Sequence, residues 1–346
     1  MKNVYNLKPV NLKQGEKMEE YLNSLTKPQG SLGVVEEIAI QLAQITGEEF
    51  PEVTPPGIIV FAADHGVASE GVSAYPQEVT VQMVHNFLDG GAAINVLGKQ
   101  IGAKVEIVDI GVAADVSRAG LHMKKVRNGT CNFLERDAMT REEAWDAIEV
   151  GSDMATNVIG RGAKCLIVGE MGIANTTSSS AILSALSGLD VSDVIGTGTG
   201  INSEQLKWKK QVIRQSLQER NPDRNDPIDV LSKVGGLEIA GMVGAILKAA
   251  ELNIPVIVDG FISTVAALLA QRLYPEVRGY LFIGHQSMEA GHKHAIKMLD
   301  KTPILNLGLR LGEGTGAALA FPILMAATNI VKEMATFKSA GVAEKI

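Results

Sequence analysis

Five short apolar segments, each with a polar residue at or next to its carboxyl end, constrain the fold of this chain more than any other feature. The stretches between them leave room for crossover helices, such as 141–159 and 239–252. Short apolar runs that alternate with helical stretches are typical of a largely parallel α/β sheet with both faces covered. The predicted strands are 57–65, 105–110, 164–170, 255–260 and 279–285.

The polar residues at the ends of these strands point to a common site. In open α/β sheets, ligands bind outside the carboxyl ends of the strands, so these side chains are expected to share one edge. The alternative explanation is solvation of the loops, since every strand must end in something polar. The residues concerned are Asp64 and His65, Asp109, Glu170, Asp259 and His285.

Helical patterns occupy both ends of the chain. Apolar residues recur at helical spacing over 12–46, interrupted by a turn at 27–33 that contains Pro28 and two glycines. A further weakly polar stretch follows residue 314, and its polar residues favour a packed helix over a membrane span. We expect a smaller helical domain of residues 1–50 with 320–346, beside a large α/β domain of residues 51–319.

The composition of the chain indicates which partners are not expected and in which cellular compartment the protein is expected. The net charge of −7 and the absence of a dense Lys/Arg run argue against nucleic acid or an anionic membrane as a partner. Cys131 and Cys165 are the only cysteines, too few for a disulfide framework or a zinc site. The first residues lack the apolar segment of a signal peptide, so a cytoplasmic location is expected.

A segment rich in glycine and hydroxyl residues follows the third predicted strand and opens a helix. Glycines let a ligand approach the backbone, while hydroxyl, amide and free helix N–H groups supply donors, which together suit a phosphate. The alternative is an ordinary Ser/Thr helix cap. The candidate phosphate-binding residues are Gly172, Asn175, Thr176, Thr177 and Ser178.

A second glycine loop, 196–200, precedes Lys209 on a probable helix. That lysine could bind the phosphate as a point charge, although surface lysines are common. Asp259 is followed by Gly260, where a site for phosphoribosyl pyrophosphate would carry a second acid. The donor is therefore not expected to be a pyrophosphate, and no metal or other cofactor is predicted.

Glu313 stands among glycines and apolar residues, with Arg310 as the one nearby opposite charge. A carboxylate in such surroundings has its pKa raised, which makes it a competent base near neutral pH. The alternative is a loop glutamate that faces water. The segment also fits a dinucleotide-binding pattern, but too few residues follow to complete the βαβ unit that this pattern needs.

Six motifs in order along the chain resemble the nicotinate-nucleotide:dimethylbenzimidazole phosphoribosyltransferase family of cobalamin lower-ligand assembly. They span most of the sequence. The segments are Lys-Pro-Gln-Gly-Ser-Leu-Gly at 27–33, Ala-Asp-His-Gly-Val at 63–67, 71–76, 169–177, 229–236 and Arg-Leu-Gly-Glu-Gly at 310–314.

The resemblance implies a homodimer whose large domain is Rossmann-like and whose small helical domain comes from both chain ends. It implies transfer of ribose 5-phosphate from nicotinate mononucleotide to 5,6-dimethylbenzimidazole, with α-ribazole 5′-phosphate and nicotinate as products. Glu313 matches the base and Glu170 a second acid beside the ribose. The remaining expected contacts are the phosphate region 172–178 with Lys209 and Asp259, and a benzimidazole pocket at Tyr75, Met83 and Leu311.

Three other functions remain open at this point. The first is another phosphoribosyltransferase or nucleosidase of similar fold, which a requirement for Mg²⁺ and phosphoribosyl pyrophosphate would support and against which the single Asp259 speaks. A non-catalytic carrier of benzimidazoles would gain nothing from a base such as Glu313 in an apolar pocket, where desolvation costs stability. A nicotinamide-dependent dehydrogenase would need a Gly-x-Gly-x-x-Gly segment after the first strand, which this sequence lacks.

Overall fold

The computed structural model describes residues 5–343, and within that range a seven-stranded sheet with all neighbouring strands parallel forms the framework. Its strands are β1 (Pro56–Ala63), β2 (Lys104–Gly111), β3 (Leu121–Met123), β4 (Cys165–Met171), β5 (Val256–Val258), β6 (Leu281–His285) and β7 (Pro303–Leu305). Their spatial order is β3-β2-β1-β4-β5-β6-β7. The order reverses between β1 and β4, which is the topological switch point of a Rossmann-like sheet.

The five predicted strands are confirmed, and the predicted fold class with them. The central strand β1 is buried along its whole length, as expected for a sheet covered on both faces. The two edge strands, β3 and β7, were not predicted. Each has only three residues and none of them is buried, so neither shows the longer apolar run that marks the predicted strands.

Helices cover the sheet and occupy both chain ends. The helices described are α1 (Leu12–Asn23), α2 (Val34–Thr46), α3 (Val79–Asp89), α4 (Ala93–Gln100), α5 (Arg141–Gly160), α6 (Asn175–Ser187), α7 (Val191–Val194), α8 (Ser203–Arg220), α9 (Pro227–Val234), α10 (Leu237–Glu251), α11 (Phe261–Leu273), α12 (His292–Leu299), α13 (Thr315–Glu333) and α14 (Phe337–Ala340). Short 3₁₀ helices lie at Gly66–Glu70 and Pro275–Tyr280.

Two crossover helices illustrate how the sequence sets their ends and their packing. Thr140 caps α5 through the backbone N–H of Glu143, whose carboxylate accepts from the backbone N–H of Thr140 in return. The partner helix α10 packs directly on α5. A Cβ on Gly151 would lie 1.8 Å from the carbonyl oxygen of Gly241, so only glycine lets the two helices approach this closely.

The two ends of the chain meet beside the sheet. Helices α1 and α2 pack together, and α2 packs on α13. Leu25 and Thr336 form an antiparallel bridge that ties the N-terminal helices to the C-terminal segment. This arrangement agrees with the predicted association of the two ends. The division into domains 1–50 with 320–346 and 51–319 stays a prediction, and α13 runs continuously through its second boundary.

Helix α13 is long and apolar enough to cross a membrane, with a mean hydropathy of 1.3. However, 56% of this apolar stretch of the helix is buried inside the protein, and the helix packs against α2, α4 and β6. These contacts are those of a core helix. The expectation of a packed helix at this position is therefore confirmed.

Candidate active site

A cavity of about 730 Å³ opens outside the carboxyl ends of β4, β5 and β6. It is the kind of crevice in which α/β sheets bind ligands. Nine of the residues predicted for the site line it. They are Glu313, Glu170, Gly172, Asn175, Thr176, Asp259, Tyr75, Met83 and Leu311.

The loop before α13 brings Glu313 to the cavity. Gly312, Glu313 and Gly314 all have positive φ angles of 93°, 64° and 94°. A positive φ is costly for a glutamate, so this conformation must be held by contacts elsewhere. Asp259, just after β5, provides them: its carboxylate accepts from the backbone N–H groups of Gly314 at 3.2 Å and Ala317 at 2.9 Å. Asp259 thus fixes both the loop and the start of α13.

Glu313 has the environment of a general base. Its side chain is only 6% exposed, and among the described residues no hydrogen bond reaches Oε2. Burial raises the pKa of Glu313, and the negative charge of Asp259 raises it further. A carboxylate of this kind, with one oxygen free and its pKa moved towards neutrality, can accept a proton from a bound ligand.

Glu170, near the end of β4, lies beside Glu313 but has a different character. The backbone N–H of Glu313 donates to Glu170 Oε1 at 3.4 Å, and the side-chain amide of Asn175 donates to Oε2. Burial, followed by the charges of Glu238 and Asp259, raises the pKa of Glu170 to about 8. At neutral pH Glu170 is therefore mostly protonated. Two adjacent carboxyl groups with different surroundings can take different roles in one reaction.

Close packing between β4 and the Glu313 loop explains how the two carboxyl groups come together. A Cβ on Gly169, the residue before Glu170, would lie 2.2 Å from the carbonyl oxygen of Glu313. Glycine at this position allows the loop to pass directly over the strand. The spacing of Glu170 and Glu313 thus depends on Gly169, which is not among the residues that line the described cavity.

The start of α6 forms the predicted phosphate region. Asn175 and Thr176 in its first turn line the cavity. Lys209 of α8 is fully buried, and its Nζ donates to Thr176 Oγ1 at 2.9 Å, so it reaches the cavity wall from behind. Burial lowers the pKa of Lys209 to about 8, opposed by the charge of Glu289. The cationic lysine and the positive end of the α6 helix dipole together favour an anion here.

Two residues predicted to bind the phosphate, Thr177 and Ser178, are not among the residues that line the described cavity. Ser178 Oγ is 2.9 Å from His65 Nδ1, and Thr177 is fully buried. Both follow Thr176 in the first turns of α6, where successive residues point to different sides of the helix. Their part in phosphate binding stays a prediction.

The predicted benzimidazole pocket lies at the mouth of the cavity. Tyr75 and Leu311 line it while remaining 55% and 59% exposed, and Met83 of α3 is half-buried beside them. Large apolar side chains that stay exposed at a cavity mouth suit a flat aromatic ligand or a second protein surface.

The strand-end prediction was partly wrong. Asp64 and Asp109 do not line the described cavity; they accept from the backbone N–H groups of Ala113 and Val112 and so stabilise their own loops. Both lie on the far side of the switch point from β4 to β6. His285, at the end of β6, lines the cavity as expected.

Sequence reasoning missed Glu289, which also lines the cavity. Burial raises its pKa, while the charges of Lys209 and Arg310 oppose this rise. It lies in the loop after β6, four residues beyond the end of the strand, and although Gly291 is close by, no apolar run leads directly into it. Among residues 5–343, no group of three or more His, Cys, Asp or Glu side chains is arranged to hold a metal ion.

Comparisons with known proteins identify the family of this chain. The family described as "Phosphoribosyltransferase" matches residues 7–342. The nicotinate-nucleotide–dimethylbenzimidazole phosphoribosyltransferase of Halalkalibacterium halodurans is 54% identical over 96% of this chain and 94% of its own length. The enzyme of the same name from Geobacter sulfurreducens is 52% identical over 97% and 96% of the two chains.

A solved structure shares the whole fold. The crystal structure of CobT from Thermus thermophilus superposes with a TM-score of 0.93 at 44% identity, covering 96% of this chain and all of that one. Identity at this level over nearly the full length shows common family membership as well as a common fold. The chain therefore belongs to the nicotinate-nucleotide–dimethylbenzimidazole phosphoribosyltransferase family.

Proposed function

We propose that this protein transfers ribose 5-phosphate from nicotinate mononucleotide to 5,6-dimethylbenzimidazole, in the assembly of the cobalamin nucleotide loop. The products are α-ribazole 5′-phosphate and nicotinate. One observation carries the proposal: a single cavity combines two buried carboxyl groups, Glu170 and Glu313, with the N-terminus of α6, and Lys209 of α8 donates to Thr176 from behind the cavity wall. The first pair suits proton transfer, and the second suits a phosphate.

The 5′-phosphate of the nucleotide binds at the start of α6 in this proposal. Gly172, Asn175 and Thr176 supply the wall, and Lys209 adds a positive charge behind Thr176. A phosphate at a helix N-terminus is stabilised by the positive end of the helix dipole. The ribose then lies towards Asp259 and Glu170, which line the same cavity.

Glu313 is the general base. One nitrogen of the benzimidazole attacks C1′ of the ribose, and the bond from C1′ to the nicotinate nitrogen breaks. The N–H on the other benzimidazole nitrogen becomes strongly acidic as the ring gains positive charge, and the Glu313 carboxylate takes that proton. The free Oε2 and the raised pKa of Glu313 support this role.

The leaving group explains why no metal is proposed. Nicotinate in the nucleotide is a pyridinium, so its ring leaves with the bonding electron pair as a neutral nitrogen base. Such a group needs neither a general acid nor an electrophilic metal. Holding the two substrates in line can supply ~7–11 kcal/mol of the barrier reduction. Attack opposite the leaving group inverts C1′, which gives the α-riboside.

The benzimidazole is proposed to lie between Tyr75, Met83 and Leu311, the apolar residues at the cavity mouth. The protein is proposed to act in the cytoplasm as a homodimer, with neither a membrane nor nucleic acid as partner. Exposed apolar residues next to the cavity lining support a second copy of the chain at this face, since Met288 and Leu307 are 64% and 56% exposed and adjoin the lining residues Ser287, Glu289 and Gly308 in the chain.

A direct assay tests the proposed reaction. Purified protein is incubated with nicotinate mononucleotide and 5,6-dimethylbenzimidazole, with and without a chelator, and free nicotinate and riboside phosphate are followed by chromatography and mass. Equal amounts of both products, unaffected by the chelator, are expected. Loss of turnover with the chelator, restored by Mg²⁺, would contradict metal independence. Benzimidazole binding without nicotinate release would favour a carrier.

A further inference from the structure

A buried chain of three side chains lies behind the wall of the cavity. His65, just after β1, has its Nδ1 2.9 Å from Ser178 Oγ of α6 and its Nε2 2.7 Å from Glu238 Oε1 of α10. All three side chains are fully buried, and none of the three is among the residues that line the described cavity. We propose that Ser178, His65 and Glu238 form a positioning unit for the transfer, and this rests on the function proposed above.

The hydrogen bonds join three separate elements into one rigid group. An ionised Glu238 can only accept, so Nε2 of His65 carries a proton and donates to it. Nδ1 then accepts from the Ser178 hydroxyl in the neutral ring, and donates to it in the imidazolium. In both cases the strand end, the first turns of α6 and the start of α10 are fixed relative to one another.

The imidazole ring also supports the cavity wall directly. A Cβ on Gly172 would lie 3.2 Å from both Cδ2 and Nε2 of His65, and one on Gly236 would lie 2.4 Å from Cε1. Gly172 lines the cavity, and Gly236 caps α10, the helix that carries Glu238. The ring and the Ala63 carbonyl oxygen, which a Cβ on Gly172 would meet at 2.4 Å, therefore fill the space behind Gly172. The nucleotide is proposed to lie on the other side of Gly172, in the cavity.

This geometry assigns Ser178 a role different from that of a phosphate ligand. Its hydroxyl is directed to His65, on the side of α6 away from Thr176, whose hydroxyl meets Lys209. Loss of a phosphate ligand weakens binding of the nucleotide. Loss of a positioning contact mainly slows the reaction, because small displacements of a bound substrate reduce the rate steeply.

The test compares Ser178→Ala with Ser184→Ala, a matched control on the same helix. Ser184 is also buried and donates to the Leu189 carbonyl oxygen, away from the cavity. For Ser178→Ala we expect about a tenfold fall in kcat, the rate equivalent of one lost hydrogen bond, with the Kd of nicotinate mononucleotide changed less than threefold. The control should match the wild type in both, measured by steady-state kinetics and calorimetry.

A second pair of variants tests the other end of the unit. Glu238→Gln keeps an acceptor opposite His65 Nε2, whereas Glu238→Ala removes it. The glutamine variant should retain several-fold more turnover per folded molecule than the alanine variant. Equal turnover in the two would count against a positioning role.

The outcomes separate this inference from the proposed function. A raised Kd with unchanged kcat in Ser178→Ala would make that residue a phosphate ligand and overturn the positioning unit. Lower thermal stability of Ser178→Ala with normal turnover would make the hydrogen bonds of the three residues purely structural and would also overturn the positioning unit. Absence of transfer in the wild type would overturn the proposed function and this inference with it.

Discussion

Replacing Glu313 by glutamine isolates the proton-accepting role of its carboxylate. Glutamine has the same shape, and Oε2 of Glu313 has no hydrogen-bond partner among the described residues, so the substitution breaks no contact seen there. The strained loop is held by Asp259 through the backbone N–H groups of Gly314 and Ala317, which the change leaves intact. Fold and substrate binding should therefore be retained.

The expected loss lies in kcat. A positioned general base contributes about 10²–10⁴-fold, or ~2.7–5.4 kcal/mol at 1.36 kcal/mol per factor of ten. Glu170 cannot readily replace Glu313, because its pKa of about 8 keeps it mostly protonated at neutral pH. We expect kcat for Glu313→Gln to fall at least a hundredfold, by the general-base range, while Kd for both substrates changes less than threefold.

The assay is release of nicotinate at saturating substrates, with calorimetry for the two Kd values. Glu333→Gln is the matched control, since Glu333 is exposed at the end of the same helix, α13, and should behave as the wild type. A Glu313→Gln variant with turnover within about tenfold of the wild type would refute the base assignment, since this lies below the general-base range.

Four further predictions concern residues around Glu313 and elsewhere in the fold. Glu313 must be ionised to act as a base and its pKa is raised, so kcat/KM should fall as the pH is lowered, with a midpoint above the pKa of an ordinary glutamate, about 4.3. A midpoint at or below that value would contradict this prediction. Gly169→Ala should abolish turnover and destabilise the protein by ~1–3 kcal/mol in urea denaturation, because its Cβ meets the Glu313 backbone; normal turnover would contradict the packing argument. Lys209→Met should weaken nicotinate mononucleotide binding by about tenfold to a hundredfold in calorimetry; an equal loss for the nucleoside without phosphate would remove Lys209 from the phosphate site. Thr140→Ala should cost ~1 kcal/mol of stability in urea denaturation with unchanged kcat, and unaltered stability would show that the α5 cap contributes little.

The framework of the fold could be read from the sequence because buried parallel strands leave a local signal. Strand β1 is a continuous apolar run and is buried throughout. Strands β3 and β7 give no such signal, since each has three residues at a sheet edge. Each pairs with the strand that precedes it, β3 with β2 and β7 with β6, but three residues that are not buried do not distinguish a strand from a loop.

The site was predictable where function requires an unusual local pattern. A glutamate between glycines marked Glu313, and the structure shows why the glycines are needed: all three residues have positive φ angles. Asp259 was also found, as a predicted phosphate or ribose contact, but its two backbone hydrogen bonds to the Glu313 loop could not be foreseen. Those partners lie 55 and 58 residues away in the chain.

Contacts behind the cavity wall left no trace in the sequence. His65 and Glu238 are 173 residues apart, and nothing near either residue marks them as a pair. The same holds for Ser178, whose side of α6 depends on where the helix begins. A shift of one residue turns a side chain by about 100° around the helix axis, so helix phase decides between cavity and interior.

The stereochemistry of a single turnover tests the central claim most directly. Protein in excess over nicotinate mononucleotide is mixed with 5,6-dimethylbenzimidazole, and the product is examined by NMR. In-line displacement assisted by Glu313 predicts one equivalent of nicotinate and a riboside phosphate that is entirely the α anomer. A product that is the β anomer or a mixture of anomers would contradict the account. So would release of nicotinate together with accumulation of free ribose 5-phosphate in place of the riboside.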